Sequence, residues 1–79
     1  MKPEEIHVGE TYVNRGAGKT RRYVIAIGYE YQPDVWLSSS TPPDEPGVFY
    51  LDSRGRQDTL YLSSFARWAG GIADEPIYL

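Results

Sequence analysis

Apolar and aromatic residues occur along this chain in short runs, separated roughly every ten positions by glycine, proline and polar residues. Short runs rich in β-branched and aromatic side chains, bounded by turn-forming residues, are typical of β-strands rather than of helices. The pattern predicts five short strands, at residues 9–13, 21–27, 35–37, 48–51 and 58–62.

The segments around the second strand contain the first turn signals. Residues 14–19 are predicted to form a loop, in which Gly16 and Gly18 are available for positive φ. Gly28 is expected to end the second strand or to form a bulge, and residues 29–31 to continue the strand beyond it with alternating faces.

Proline and glycine predict two further connections. Residues 41–47 include three prolines, which fix φ and remove backbone donors, so we expect a long, semi-rigid surface loop. Residues 52–57 are expected to form the turn of a hairpin, with Gly55 at the position of positive φ.

One segment, residues 63–70, favours a helix of one or two turns. Ser63 or Ser64 is suited to cap its start, and Gly70 or Gly71 to end it.

The helix is expected to close one end of a β-structure, because Phe65 and Trp68 lie three residues apart and share a face. Residues 77–79 are suited to pair as a short edge strand. Together these elements predict a mainly β fold: a small, strongly bent antiparallel sheet or SH3-like barrel of about five strands with one short C-terminal helical turn. An OB-like barrel is the alternative, and the length of 79 residues predicts a single domain over residues 1–79.

Eleven aromatic residues, seven of them tyrosine, are dispersed along the chain. A small domain without disulfides needs large side chains in its core, whereas exposed tyrosines beside arginines are typical of interaction surfaces. Tyr29, Tyr31 and Tyr50 are expected to face outward. The predicted core aromatics are Tyr23, Trp36, Phe49, Tyr61, Phe65 and Trp68.

Composition excludes several classes of site. The chain has no cysteine and one histidine, His7, which excludes a disulfide framework, a cysteine-ligated metal and a multi-histidine metal site. No apolar segment approaches the roughly 20 residues that span a bilayer, and the N-terminus lacks the features of a signal peptide. We therefore expect a soluble, cytoplasmic protein, without a cofactor and without a membrane partner.

Charge is unevenly distributed along the chain. The net charge is −3, with +2 in residues 1–28 and −5 in residues 29–79. Four cations, Arg15, Lys19, Arg21 and Arg22, fall within eight residues that contain no acid. The planar fork of arginine binds a carboxylate or phosphate with two hydrogen bonds, so this segment is a candidate contact for an anionic partner. On a strand, however, Arg21 and Arg22 point to opposite faces, and all four could be ordinary surface charges paired with nearby glutamates.

Residues 16–20, with the sequence GAGKT, are similar to the end of a phosphate-binding loop. That loop has the form G-x-x-x-x-G-K-[ST] between a strand and a helix. Here Val13 occupies the place of the first glycine, and the residues after Thr20 predict a strand. The segment is therefore interpreted as a turn that exposes Lys19, not as a site of nucleotide hydrolysis.

No catalytic constellation is visible in the sequence. His7 lies near the N-terminus, the serines lack a positioned base, and the aspartates lie in turns, where carboxylates usually bind backbone N–H groups. The chain is predicted not to be an enzyme.

The proline-rich loop offers a second candidate surface. Asp44 and Glu45 lie at its tip, and a pre-ordered acidic loop loses little entropy when it inserts into a basic cleft. The alternative is a connection that only joins two strands.

Two parts of the chain resemble small uncharacterised proteins encoded by phages and prophages. They are the run VGETYVNRG at residues 8–16, followed by Arg21 and Arg22, and the run LYLSSFARWA at residues 60–69. The resemblance implies a free-standing protein in the cytoplasm of a bacterial host, where it binds and blocks a host protein, such as a CRISPR–Cas complex or another defence complex. It supplies no catalytic residue.

Two functions are therefore expected. The first is a non-enzymatic binding module for a host macromolecule, which acts as an inhibitor of a defence complex. The alternative is a nucleic-acid-binding barrel that uses residues 15–22 and neighbouring tyrosines. The partner-binding residues predicted for these functions are Arg15, Lys19, Arg21, Arg22, Tyr29, Tyr31, Asp44 and Glu45, and the oligomeric state is left open.

Overall fold

The computed structural model of the protein describes residues 1–16, 20–33 and 44–74. In this part of the chain, five antiparallel strands form one open sheet in the order β4-β3-β2-β1-β5, which confirms the mainly β prediction. The strands are β1 (Thr11–Asn14), β2 (Arg21–Gly28), β3 (Gly47–Asp52), β4 (Gln57–Tyr61) and β5 (Ala69–Ile72), with helix α1 (Leu62–Trp68) and short 3-10 turns at Pro3–Glu5 and Tyr29–Tyr31.

The last strand was not predicted, and it lies beside the first. The helix was predicted to end at Gly70 or Gly71. It ends earlier, and the chain continues directly into β5, which pairs antiparallel with the free edge of β1. A short strand that follows a helix without a turn has no alternating pattern of apolar and polar residues of its own. The position of β5 is therefore specified only by the open edge of β1. The strand predicted at residues 35–37, the core position predicted for Trp36 and the strand predicted at residues 77–79 lie outside the described residues.

β2, the longest strand, ends at Gly28 as predicted, but its bulge does not lie at Gly28. Gly28 closes β2 opposite Gly47, while the register against β3 shifts at Ile25, between Val24 and Ala26. Residues 29–31, which were predicted to continue the strand, form a 3-10 turn instead.

Close backbone contact accounts for this turn. The chain crosses directly over the start of β3, and a Cβ on Gly47 would overlap the carbonyl group of Tyr31. Only glycine permits the two backbones to lie this close together.

The core lies between one face of the sheet and α1. Phe65 is fully buried, and its ring contacts those of Tyr12, Tyr50 and Trp68 at centroid distances of 5.8, 5.6 and 5.2 Å. The other buried members of the core are Ile6, Val24, Val48, Ala66 and Ala69.

The face assignment predicted for β3 was wrong. Tyr50, expected to face outward, is 5% exposed and lies in the core beside Val48, whereas Phe49 points to the opposite face and stacks on Tyr31. Alternation fixes which residues share a face but not which face is covered, and the covering helix is specified elsewhere in the chain.

Tyr12 attaches the N-terminal segment to this core. Its hydroxyl accepts a hydrogen bond from the His7 N–H at 2.7 Å and donates one to the Glu5 carbonyl at 2.9 Å. Both partners belong to the segment before β1, and burial raises the pKa of the Tyr12 hydroxyl.

We expect Tyr12→Phe to lower the free energy of unfolding by about 1 kcal/mol, because it removes two part-buried hydrogen bonds, from the His7 N–H and to the Glu5 carbonyl. Urea unfolding with an unchanged m-value measures the change. Tyr29→Phe is the control, since Tyr29 is 58% exposed. Equal midpoints for the two variants would show that the Tyr12 hydroxyl contributes nothing.

Candidate functional site at the arginine end of the sheet

The topology brings two distant segments of the chain to the same end of the sheet. Arg22 at the start of β2 pairs with Asp52 at the end of β3, so the loop before β2 lies beside the hairpin after β3. The last turn of α1 reaches the same end, where the Arg15 N–H donates to the Trp68 carbonyl at 3.0 Å.

This arrangement places all six arginines of the chain at one end. We call this surface the arginine end. It comprises Arg15, Arg21, Arg22, Arg54 and Arg56, with Arg67 next to them in the last turn of α1. Two carboxylates, Asp52 and Asp58, lie among them.

The hairpin that presents Arg54 and Arg56 is held by Asp52. One carboxylate oxygen, Oδ1, accepts the N–H groups of both arginines at 2.9 Å. Gly55 has a φ of 83°, as predicted, and its N–H donates to the Asp52 carbonyl at 3.0 Å. The turn therefore has a fixed backbone, and both arginine side chains project from it into solvent.

An open cleft lies between this hairpin and the start of β2. Its volume is about 320 Å³, and it is lined by Thr20, Asp52, Ser53, Arg54 and Arg56. The hydrogen bonds from the Arg56 and Arg54 backbone hold the pKa of the Asp52 carboxyl below its ordinary value, so this carboxylate is ionised at neutral pH.

Arg22 has a different environment from the other arginines. Its guanidinium lies over the rings of Trp68 and Tyr50, at 4.2 and 4.7 Å from their centroids, and is half-buried. Nε is buried and has no hydrogen-bond partner in the part of the chain that the structure describes. Burial raises the pKa of the Tyr50 hydroxyl, and the Arg22 charge offsets part of that increase. Arg22 therefore covers the edge of the core, and its charge acts at the arginine end from a fixed position.

Gly16 and Thr20, the described residues of the segment that is similar to a nucleotide loop, lie at this end. Asn14 is bonded to Thr20, because its backbone N–H donates to the Thr20 carbonyl at 3.1 Å and its side chain accepts the Thr20 N–H at 3.2 Å. Gly16 has the predicted positive φ, and β2 follows Thr20 directly. A strand at this position offers no helix N-terminus for a phosphate. Lys19 and Gly18 lie outside the described residues.

The predicted tyrosines are not neighbours of the arginines. Tyr29 and Tyr31 follow the far end of β2, whose eight residues span up to about 25 Å in extended geometry. Tyr29 is exposed, whereas Tyr31 is half-buried and stacks on Phe49 at 5.6 Å. The prediction of one surface that combines arginines with these tyrosines was therefore wrong.

The acidic residues Asp44 and Glu45 also lie at the far end, just before β3. Asp44 is exposed. The Glu45 carboxylate accepts the Ser63 N–H at 2.8 Å in the first turn of α1, and its carbonyl accepts a bond from the Gln32 amide at 2.6 Å. Glu45, which was predicted to bind a partner, thus caps α1. The N-cap residue is Tyr61, whose side chain makes no cap hydrogen bond. Glu45 therefore takes the role that was predicted for Ser63 or Ser64. The tip predicted at residues 41–43 lies outside the described residues.

The structure adds Arg54, Arg56 and Asp52 to the predicted set. The sequence contained one signal for them: a short hairpin turn with an arginine on either side of Gly55. Its proximity to Arg15 and Arg21 depends on the register between β2 and β3, which no local pattern specifies.

Comparisons with known proteins identify no relative. No protein-family model, no curated protein and no solved structure matches this chain. Among the described residues, no group of three His, Asp or Glu side chains could hold a metal ion, and no helix has the length and apolar character needed to cross a membrane.

We expect Glu45→Ala to lower the free energy of unfolding by about 1 kcal/mol, the usual cost of a lost helix cap. Asp44→Ala is the matched control, because it removes the neighbouring exposed carboxylate and the same charge. Thermal or urea unfolding of both variants measures the difference. Identical stabilities would show that the bond to Ser63 does not support α1.

The lowered pKa of Asp52 predicts a pH dependence. Ionised Asp52 stabilises the hairpin above the ordinary aspartate pKa of about 3.9, and this stabilisation is lost as the pH falls through the lower pKa of the folded state. We expect wild type to exceed Asp52→Asn in stability at neutral pH, with the difference narrowing in acid. Urea midpoints for both proteins across this range test it, and a constant difference would contradict the role of the charge.

Proposed function

We propose that this protein is a non-enzymatic binding module that docks its arginine end on a negatively charged surface of a host macromolecule. The single observation that carries the proposal is the convergence of all six arginines at one end of a sheet, from three separate segments of the chain. Arginine is the side chain best suited to carboxylate or phosphate recognition, because its fork makes two parallel hydrogen bonds.

The geometry favours binding over catalysis. The cleft in this surface is lined by Thr20, Asp52, Ser53, Arg54 and Arg56, with no histidine among them, and the Asp52 carboxylate is engaged by the backbone N–H groups of Arg54 and Arg56. The main elements of the surface are held in place. The Arg22 guanidinium packs on two aromatic rings, and Asp52 binds the backbone of the Arg54–Arg56 turn. A pre-ordered surface loses less conformational entropy when it binds.

The resemblance to phage-encoded proteins extends the proposal to the kind of partner. We take the host macromolecule to be a component of a defence complex, such as CRISPR–Cas, whose activity is blocked when the arginine end binds it. The acidic far end is a weaker docking surface, because Glu45 is already engaged with α1.

The test is phage plaquing on a bacterial host with an active CRISPR–Cas system, with and without expression of the protein. We expect wild type to raise the plaquing efficiency and Arg54→Ala/Arg56→Ala to lose most of that gain. Two lost charge-assisted contacts of about 1 kcal/mol each correspond to an affinity loss of tenfold or more.

The control is Val8→Glu/Tyr29→Glu, which lowers the net charge by the same two units at positions that are each 58% exposed and lie away from the arginine end. It is expected to keep the gain. If both double variants behave like wild type, or if wild type has no effect on any defence system tried, the proposal is wrong.

A further inference from the structure

Strand β4 lies at one edge of the sheet, and one side of its backbone has no strand partner among the described residues. Its five residues pair with β3, from Leu51 opposite Gln57 to Gly47 opposite Tyr61. The other edge strand, β5, has four residues, two of which are glycines that weaken a strand. β4 is therefore the better template for a further strand.

The hydrogen bonds at the two ends of β4 show which of its backbone groups face the open edge. The Arg56 carbonyl accepts the Asp52 N–H at 2.8 Å. At the other end, the Leu62 N–H donates to the Pro46 carbonyl at 3.0 Å. Backbone groups alternate in direction along a strand, so the even-numbered residues between these two bonds also face β3. The outward-facing residues of β4 are Gln57, Thr59 and Tyr61.

The central outward N–H of β4 already has an acceptor. The Asp58 carboxylate oxygen Oδ1 accepts the Thr59 N–H at 2.8 Å, although the two residues are adjacent in the chain. A backbone N–H that is bound in this way is not available to the carbonyl of a further strand. The side chain of Asp58 therefore closes the open edge at its middle.

The face on which Asp58 lies is unusual for a charged residue. Asp58 is directly opposite Tyr50, which is 5% exposed and belongs to the core. Directly paired residues project to the same face of a sheet, so the Asp58 carboxylate lies at the rim of the face that α1 covers. A charged side chain that points to the covered face of an edge strand is one of the features by which β proteins avoid edge-to-edge pairing.

A second copy of β4 is the strand against which this charge acts most directly. In an antiparallel pair centred on Thr59, all five residues of both strands overlap, and the outward backbone groups of each copy meet those of the other. Asp58 then lies opposite Leu60 of the second copy, and the two Asp58 carboxylates are diagonal neighbours, about 7–8 Å apart, where like charges repel. Only a second copy brings the same carboxylate to this position.

We propose that the outer edge of β4 is a self-pairing surface that Asp58 keeps closed, so that loss of the Asp58 carboxylate makes the protein dimerise through β4. Two effects of this one side chain oppose the pairing in the wild type: the bond to the Thr59 N–H and the repulsion between the two carboxylates. The inference goes beyond the proposed function, because it rests on the backbone of β4 and not on the arginine side chains.

The experiment measures the mass of Asp58→Ala by sedimentation equilibrium at protein concentrations of about 10⁻⁵ to 10⁻³ M, where micromolar to millimolar association is detected. We expect the wild type to keep the mass of a monomer, and Asp58→Ala to approach the mass of a dimer as the concentration rises. Asp44→Ala is the matched control, because it removes an exposed carboxylate and the same charge outside β4. It is expected to stay monomeric.

A double variant tests whether β4 is the surface that pairs. Thr59→Pro removes the outward N–H but no bond to β3, since the Thr59 N–H faces away from β3. We expect Asp58→Ala/Thr59→Pro to return to the mass of a monomer. The amide resonances of isotope-labelled Asp58→Ala locate the surface without the proline variant, and those that change with concentration are expected to belong to β4.

Three results overturn the inference. They are an Asp58→Ala variant that stays monomeric at every concentration, equal association of Asp44→Ala, and concentration-dependent amide shifts that lie outside β4. A wild type that itself dimerises through β4 also overturns it, because the edge would then not be closed by Asp58.

Discussion

The fold depends on the burial of Phe65 between the helix and the sheet. Its ring touches an aromatic residue of β1, one of β3 and one of its own helix, so a single side chain connects three parts of the structure. The chain is short and has no disulfide, and its core must hold by packing alone. Truncation of a buried phenylalanine typically costs about 3–5 kcal/mol, which is a large part of the total stability of a small domain.

The arginine end is continuous with this core. Trp68 packs on Phe65 on one side and beneath the Arg22 guanidinium on the other, so the aromatic cluster ends in a positive charge. A guanidinium can cover aromatic rings because it is planar and less strongly hydrated than an ammonium group. The same contact fixes the charge in space, and displacement of Arg22 would expose Trp68 and Tyr50 to water. Stability and the charge of the surface are therefore coupled at one residue.

The sequence predicted most of the elements, because glycine and proline separate the strands and because β2 is rich in β-branched residues. Its failures have physical causes. The covered face of β3 depends on α1, β5 depends on the free edge of β1, and the cap of α1 comes from Glu45, 18 residues before the helix residue that it binds. Arg15, Arg21 and Arg22 were found because they are close in sequence, whereas Arg54 and Arg56 join them only through the pairing of Arg22 with Asp52.

The net charge of the protein does not show how its charges are distributed along the strands. A protein of charge −3 would be repelled by a polyanion if its charges were evenly spread. Here the arginines lie at one end of the sheet, with Asp52 and Asp58 among them, whereas Glu30, Asp44 and Glu45 lie at the other end. The local field of the arginine end can therefore attract an anion although the net charge is negative. Docking through the arginine end, as proposed, would turn the carboxylates of the opposite end away from an anionic partner and beyond the screening distance.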